Sequence, residues 1–143
     1  MQRIRRAERL LELAERGLKT AQTAAAAAEQ LVDNARATVE AHEREWELAA
    51  QTFGTGVATA TDLQNQALRL QTLRVHADAA ARNLAVALDG QRKAQASVLD
   101  ASRKKRTMEL WRDRIREANQ EEQRTQEQRG FDELAARVVR ARS

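Results

Sequence analysis

His42 and His76 are the residues of this 143-residue chain best suited to hold a metal ion, and an antiparallel helical pair could bring them near one another. No third ligand at metal spacing accompanies them, and cysteine is absent, so neither a zinc site nor a disulfide is expected. Gly54-Thr55-Gly56 has the glycine content of a phosphate cradle but lacks the lysine that would reach the phosphate. Serine occurs only at Ser97, Ser102 and Ser143, with no base and orienting acid arranged around any of them. The residues therefore predict no catalytic group, no cofactor and no metal, and a protein that works by contact.

The elements that would position such contacts are written in the spacing of the apolar residues. Ile4, Leu11, Leu18, Ala25, Val32, Val39, Trp46 and Phe53 recur every seven positions, followed three residues later by Ala7, Ala14, Ala21, Ala28, Ala35, His42 and Ala49. On a helix this makes one seam that a partner helix must cover, which is a coiled coil. Two glycines at Phe53-Gly54-Thr55-Gly56 interrupt it. Either Thr59-x-x-Asp62 or Thr61-x-x-Gln64 can cap a new helix start. Beyond the break the seam resumes as Leu63, Leu70, Ala77, Leu84, Gln91 and Val98, with Leu73, Ala80, Ala87, Ala94, Ala101, Met108 and Ile115 three behind.

Folding back at the glycines gives an all-α, elongated antiparallel two-helix coiled-coil hairpin, a single domain over residues 1–143. Helix 1 is expected at about 2–53, the turn at about 54–61 and helix 2 at about 62–140. Facing pairs then include Ile4 with Ile115, Leu11 with Met108, Val32 with Ala87, Val39 with Ala80 and Trp46 with Leu73, so that large mostly meets small. Ala25 with Ala94 and Ala28 with Gln91 make a thin middle section. In this register helix 1 is used up near residue 118. Residues 119–143 form an overhang of roughly 37 Å if helical, at 1.5 Å per residue.

The overhang carries Phe131, Leu134, Ala135 and Val138 at one-face spacing, which reads as a docking element or a frayed tail. Acid-before-base pairs four apart (among them Glu12 with Arg16, Glu40 with Arg44, Asp78 with Arg82, Asp89 with Lys93, Asp100 with Lys104 and Glu133 with Arg137) are expected as ordinary helix support. Residues 1–16 and 103–143 together hold 17 Lys/Arg against 11 Asp/Glu, whereas residues 17–102 hold eight against ten. The basic end suits a partner with an acidic surface, or simply keeps the chain soluble.

With no proline, no tyrosine and two residues each of Phe and Trp, a multilayered globular core is excluded. The longest apolar run, Ala24 to Ala28, is far short of the roughly 20 residues of a membrane span. Glu8, Glu12 and Glu15 after the basic start argue against a secretory signal, so a cytoplasmic protein without direct membrane insertion is expected.

The run Arg103-Lys104-Lys105-Arg106-Thr107-Met108-Glu109-Leu110-Trp111, followed by Glu127-Gln128-Arg129-Gly130-Phe131-Asp132-Glu133-Leu134-Ala135-Ala136-Arg137, resembles the C-terminal region of FliJ-type flagellar export proteins. There a Lys-Lys-x-x-x-x-x-Trp-like stretch leads to a Gln-Lys-x-x-Asp-Glu-x-Ala-x-Arg-like motif. The likeness extends to Leu10-Leu11-Glu12-Leu13-Ala14 and the mid-chain glycine turn. Such proteins, and the related stalk proteins of type III injectisomes, are similar to the gamma subunit of rotary ATP synthases. The resemblance implies a non-enzymatic stalk at the base of the secretion apparatus. Its terminal end would meet a hexameric export ATPase, and the region nearer its turn the membrane export gate, with substrate chaperones as further partners.

Placed on this chain, the ATPase-binding candidates are Leu10, Leu11, Ala14, Met108, Trp111, Gln128, Asp132, Glu133 and Arg137. The gate-binding candidates are Trp46, Phe53, Leu68 and Leu73. Trp46, Phe53 and Trp111 read first as seam residues, whereas for Gln128, Asp132 and Glu133 solvated surface is the alternative to docking. These residues do not separate a flagellar system from an injectisome. Two rivals stand beside this reading: a homo-oligomeric coiled-coil scaffold paired through its tails, and a helical arm binding nucleic acid. The second is disfavoured because acids interleave the arginines and stacking aromatics are few, so no nucleic acid is expected.

Overall fold

The computed structural model describes residues 2–142. Met1 and Ser143, the two ends of the expected single domain, lie outside the described residues. The chain is all-α: α1 spans Gln2–Gln51 and α2 spans Ala60–Arg142, with no strand among the described residues. Ala, Leu, Glu, Gln and Arg, the strongest helix formers, dominate both helices.

In α1 the residues withdrawn from solvent are the two heptad series from Ile4 to Ala49, joined only by Ala50. Ala7, Leu11 and Val32 are buried there, and Ala77 and Ala80 in α2. Contacts gather into two compact units, one of residues 1–19 with 100–143 and one of residues 20–99.

The second unit is an antiparallel helical hairpin. His42 and His76 stand edge to face with ring centroids 6.0 Å apart, and the Arg74 guanidinium lies over the Trp46 ring at 5.4 Å. These neighbours bracket the register expected from Trp46 opposite Leu73. At the thin section, Gln22, Ala25, Ala26, Glu29, Gln91, Gln95 and Val98 line an open groove of about 320 Å³, the space that small side chains leave unfilled.

Two expectations at the turn are corrected. Helix α1 ends at Gln51, so Phe53 lies in the turn at 44% exposure and does not fill a seam site. Leu63, expected in the seam, is also exposed. The reason is local hydrogen bonding. The Thr52 hydroxyl donates to the Leu48 carbonyl, and Phe53 N–H and Thr55 N–H donate to the carbonyls three residues back, which tightens the chain into turns before the glycines. Gln66 then spans the bend, accepting from Gly54 N–H at 2.8 Å and donating to the Thr55 carbonyl at 3.0 Å.

Of the two candidate caps, Thr59 starts α2. Asp62 N–H donates to the Thr59 hydroxyl at 3.2 Å, and the Asp62 carboxylate accepts from Thr59 N–H at 3.1 Å and from Ala58 N–H at 3.2 Å, a reciprocal capping box. Thr59→Ala and Asp62→Ala are each expected to cost about 1 kcal/mol in urea denaturation followed by helical circular dichroism, because each leaves orphan N–H donors at the helix start.

The first unit pairs the start of α1 with residues 100–118. Glu8 and Arg116 join the two helices at 3.3 Å. Here the seam of α2 continues through Lys105 and Arg112, which the apolar pattern did not reveal. Their aliphatic stems are half-buried while the charged heads reach Glu109 at 3.9 Å and Asp113 at 3.1 Å.

Among the expected surface pairs, Glu40 with Arg44 and Asp89 with Lys93 form, at 3.7 and 3.1 Å. Hydrogen bonds from Lys93 and Arg92 hold the Asp89 carboxyl below the ordinary carboxylate range. Asp78 pairs with Arg74 at 3.5 Å instead of Arg82, because Arg74 is already folded along this surface over Trp46. Among the described residues Glu12 with Arg16, Asp100 with Lys104 and Glu133 with Arg137 form no ion pair, so those expectations are also corrected.

Candidate functional site

Within the first unit, α2 outlasts its partner. From Arg116 to Arg142 every residue is exposed while the helix continues unbroken. A helix face left without a partner keeps its apolar side chains in water, and here these are Phe131 (69% exposed), Leu134, Val138 and Val139. Sequence reading singled out three of them but not Val139, which falls one position off the stripe.

On the same segment Gln128 Nε2 donates to Asp132 Oδ1 at 3.3 Å, and Glu133 and Arg137 are solvent-exposed. Of the remaining terminal candidates, Leu11 is buried in the seam and Ala14 and Met108 are half-buried in it, so their first task is packing. Leu10 and Trp111 both stand beside the seam rather than in it, at 36% and 37% exposure. Leu13 and Leu110, both exposed, belong to the runs that carry the resemblance but are not among the binding candidates; their signal is an apolar residue outside the heptad seam.

In the second unit the gate candidates divide. Trp46 and Leu73 sit half-buried in the seam, whereas Phe53 and Leu68 are exposed. Exposed Leu48 and Leu63 join the latter two near the turn. Beside them Glu45, Leu48, Ala49, Thr52, Gln66 and Arg69 line an open hollow of about 310 Å³. His42 and His76 flank another hollow with Thr38, Ala79, Ala80 and Asn83, and the buried His42 Nδ1 has no hydrogen-bond partner. No group of three or more metal-ligating side chains exists among the described residues.

Residues 3–143 match the family described as Flagellar FliJ protein. The chain belongs to that family. The match runs through both helices and the turn, so this FliJ-type chain is a flagellar export protein along its whole matched length. Comparisons with curated proteins and with solved structures give no match. No helix among the described residues is long and apolar enough to cross a membrane.

Proposed function

We propose that this chain is the non-enzymatic central stalk of a flagellar type III export apparatus. In this reading it binds the hexameric export ATPase through the first unit and the membrane export gate through side chains near the turn of the second. The observation that carries the reading is the solvent-exposed stretch of α2 beyond Arg116, which keeps a helical apolar face without a partner in a chain matched to the FliJ family throughout. A helix of this kind gains stability when a partner covers the face, the usual basis of helix-in-groove recognition.

Phe131, Leu134 and Val138 would supply the apolar contact, with Gln128, Asp132, Glu133 and Arg137 at its polar rim and Leu10 and Trp111 on the neighbouring paired section. Leu11, Ala14 and Met108 would hold that section in shape. On the turn side, Phe53 and Leu68 would meet the gate, and Trp46 and Leu73 would keep the two helices in register beneath them. Such a stalk acts in the cytoplasm at the base of the apparatus, with substrate chaperones as further partners.

The test is a pull-down of the hexameric export ATPase by the full chain and by a chain ending at Asn119. The shortened chain is expected to lose at least about tenfold in affinity, since the apolar face supplies the buried centre of the contact. Its unfolding midpoint should not change, because the removed residues are exposed. Undiminished capture of the ATPase by the shortened chain would defeat the docking assignment.

A further inference from the structure

The two flanks of the paired section of the first unit differ in charge, and we infer that one of them is a docking face for an anionic lipid surface. The seam here runs through Ile4, Ala7, Leu11 and Ala14 on α1 and through Lys105, Met108, Arg112 and Ile115 on α2. On one side of it, Glu8 binds Arg116 across the helices and Arg106 binds Glu109, both at 3.3 Å, so opposite charges alternate and neutralise.

The other side is unlike it. There α1 presents Arg3, Arg6, Leu10 and Leu13 as one stripe at helical spacing, and α2 presents Lys104, Trp111 and Arg114. No carboxylate falls within these two stripes between Arg3 and Leu13 or between Lys104 and Arg114. Among the described residues none of the four cations has an ion pair, and Leu10, Leu13 and Trp111 are 36%, 55% and 37% exposed.

The bulk charge agrees. Residues 1–16 and 103–118 hold 12 Lys/Arg against six Asp/Glu, while residues 119–143 hold five of each. The entire cationic excess of the terminal regions therefore lies on the paired section and none on the exposed end of α2.

Apolar side chains with a tryptophan among them, framed by long cations, suit the boundary between phosphate headgroups and acyl chains. There leucine inserts, indole sits at the headgroup level and each cation meets a phosphate. A fluid headgroup layer fits better than a structured acidic protein, because among the described residues none of the four cations is held by a side-chain hydrogen bond and so none is preset for one geometry. Nucleic acid fits less well, since a single indole gives no stacking platform and the leucines would meet only phosphate. The inference does not depend on the ATPase reading. Because Leu10 and Trp111 serve in both, lipid and ATPase would exclude one another.

The test is sedimentation of the full chain with vesicles of phosphatidylcholine alone or mixed with phosphatidylglycerol. Binding is expected only to the anionic vesicles, weakening steeply with salt. Arg6→Glu with Arg114→Glu should reduce it by about tenfold or more, whereas Arg9→Glu with Arg103→Glu, the same charge change on the outward backs of the helices, should reduce it by less than about threefold. Leu13→Gln should weaken it with charge unchanged, and circular dichroism should show all variants helical. Failure to bind anionic vesicles, equal losses in the two charge-reversal pairs, or binding to polyglutamate or duplex DNA but not to vesicles would each overturn the inference.

Discussion

Val32→Asp is expected to destabilise the second unit by about 3–5 kcal/mol, enough to melt its helical pairing at ordinary temperature, because it places an unpaired carboxylate inside the seam. Val32 is 2% exposed, the most enclosed of the larger side chains, and the seam around it is apolar: its expected layer partner is Ala87, and the adjoining seam positions are Ala28 and Ala35. A coiled coil of two helices has no second layer of core to absorb such a defect. The neighbouring Leu31→Asp, at 63% exposure, makes the same chemical change one residue away and should move stability by no more than about 0.5 kcal/mol. Urea titrations of the two variants by circular dichroism provide the comparison. Equal stabilities would mean that the heptad seam is not what holds α1 to α2.

That contrast shows why so much of the fold was legible. A seven-residue repeat is a statement about which side of a helix meets another helix, and the α1 residues withdrawn from solvent follow it from Ile4 to Ala49. The register was legible for a second reason: size complementarity and the glycine positions selected the same pairing, and His42 with His76 and Trp46 with Arg74 lie within a residue of it.

Illegibility began where polar atoms do structural work. Lys105 and Arg112 occupy seam positions with their stems, which a hydrophobic count scores as breaks. Gln66 secures the turn through hydrogen bonds to backbone groups 11 and 12 residues away, and no local pattern signals such a partner. Phe53 looked like the next seam residue because a heptad extrapolates without limit, while the Thr52 hydroxyl and the turn hydrogen bonds close the helix at Gln51.

The candidate docking residues were legible only in part, for a related reason. Their types are common on any solvated helix, and what distinguishes Phe131 or Leu134 is that no partner faces them. That depends on which stretch of α2 lies beyond the section paired with α1. The register supplied this information for the segment beyond residue 118. It did not single out Val139 or Leu13, whose exposure follows from the helix phase rather than from residue type.

Replacing both turn glycines by alanine is expected to convert the chain from internal pairing to pairing between two copies. Gly54 and Gly56 have φ of 84° and 73°, the left-handed region, where alanine costs roughly 1–2 kcal/mol per residue. No heavy atom lies within 4 Å of where either Cβ would be placed, so the strain is purely conformational and disappears if the backbone leaves that region. The easiest exit is helical, since residues 52–59 contain no proline and alanine is the strongest helix former. A helix through the turn would separate the two arms of the second unit within one chain, yet a second chain can supply the same seam contacts. Internal pairing is favoured by an effective concentration of about millimolar. Removing roughly 2–4 kcal/mol of that preference, at about 1.4 kcal/mol per tenfold, brings the crossover to the micromolar range. Gly54→Ala with Gly56→Ala should therefore raise the dimer fraction in light scattering at tens of micromolar, on the order of the concentration just derived, with a gain in helicity. Gly54→Asn with Gly56→Asn, which tolerates the left-handed region, should keep the wild-type mass. If the alanine pair and the asparagine pair have the same mass, the glycines are not what returns this chain upon itself.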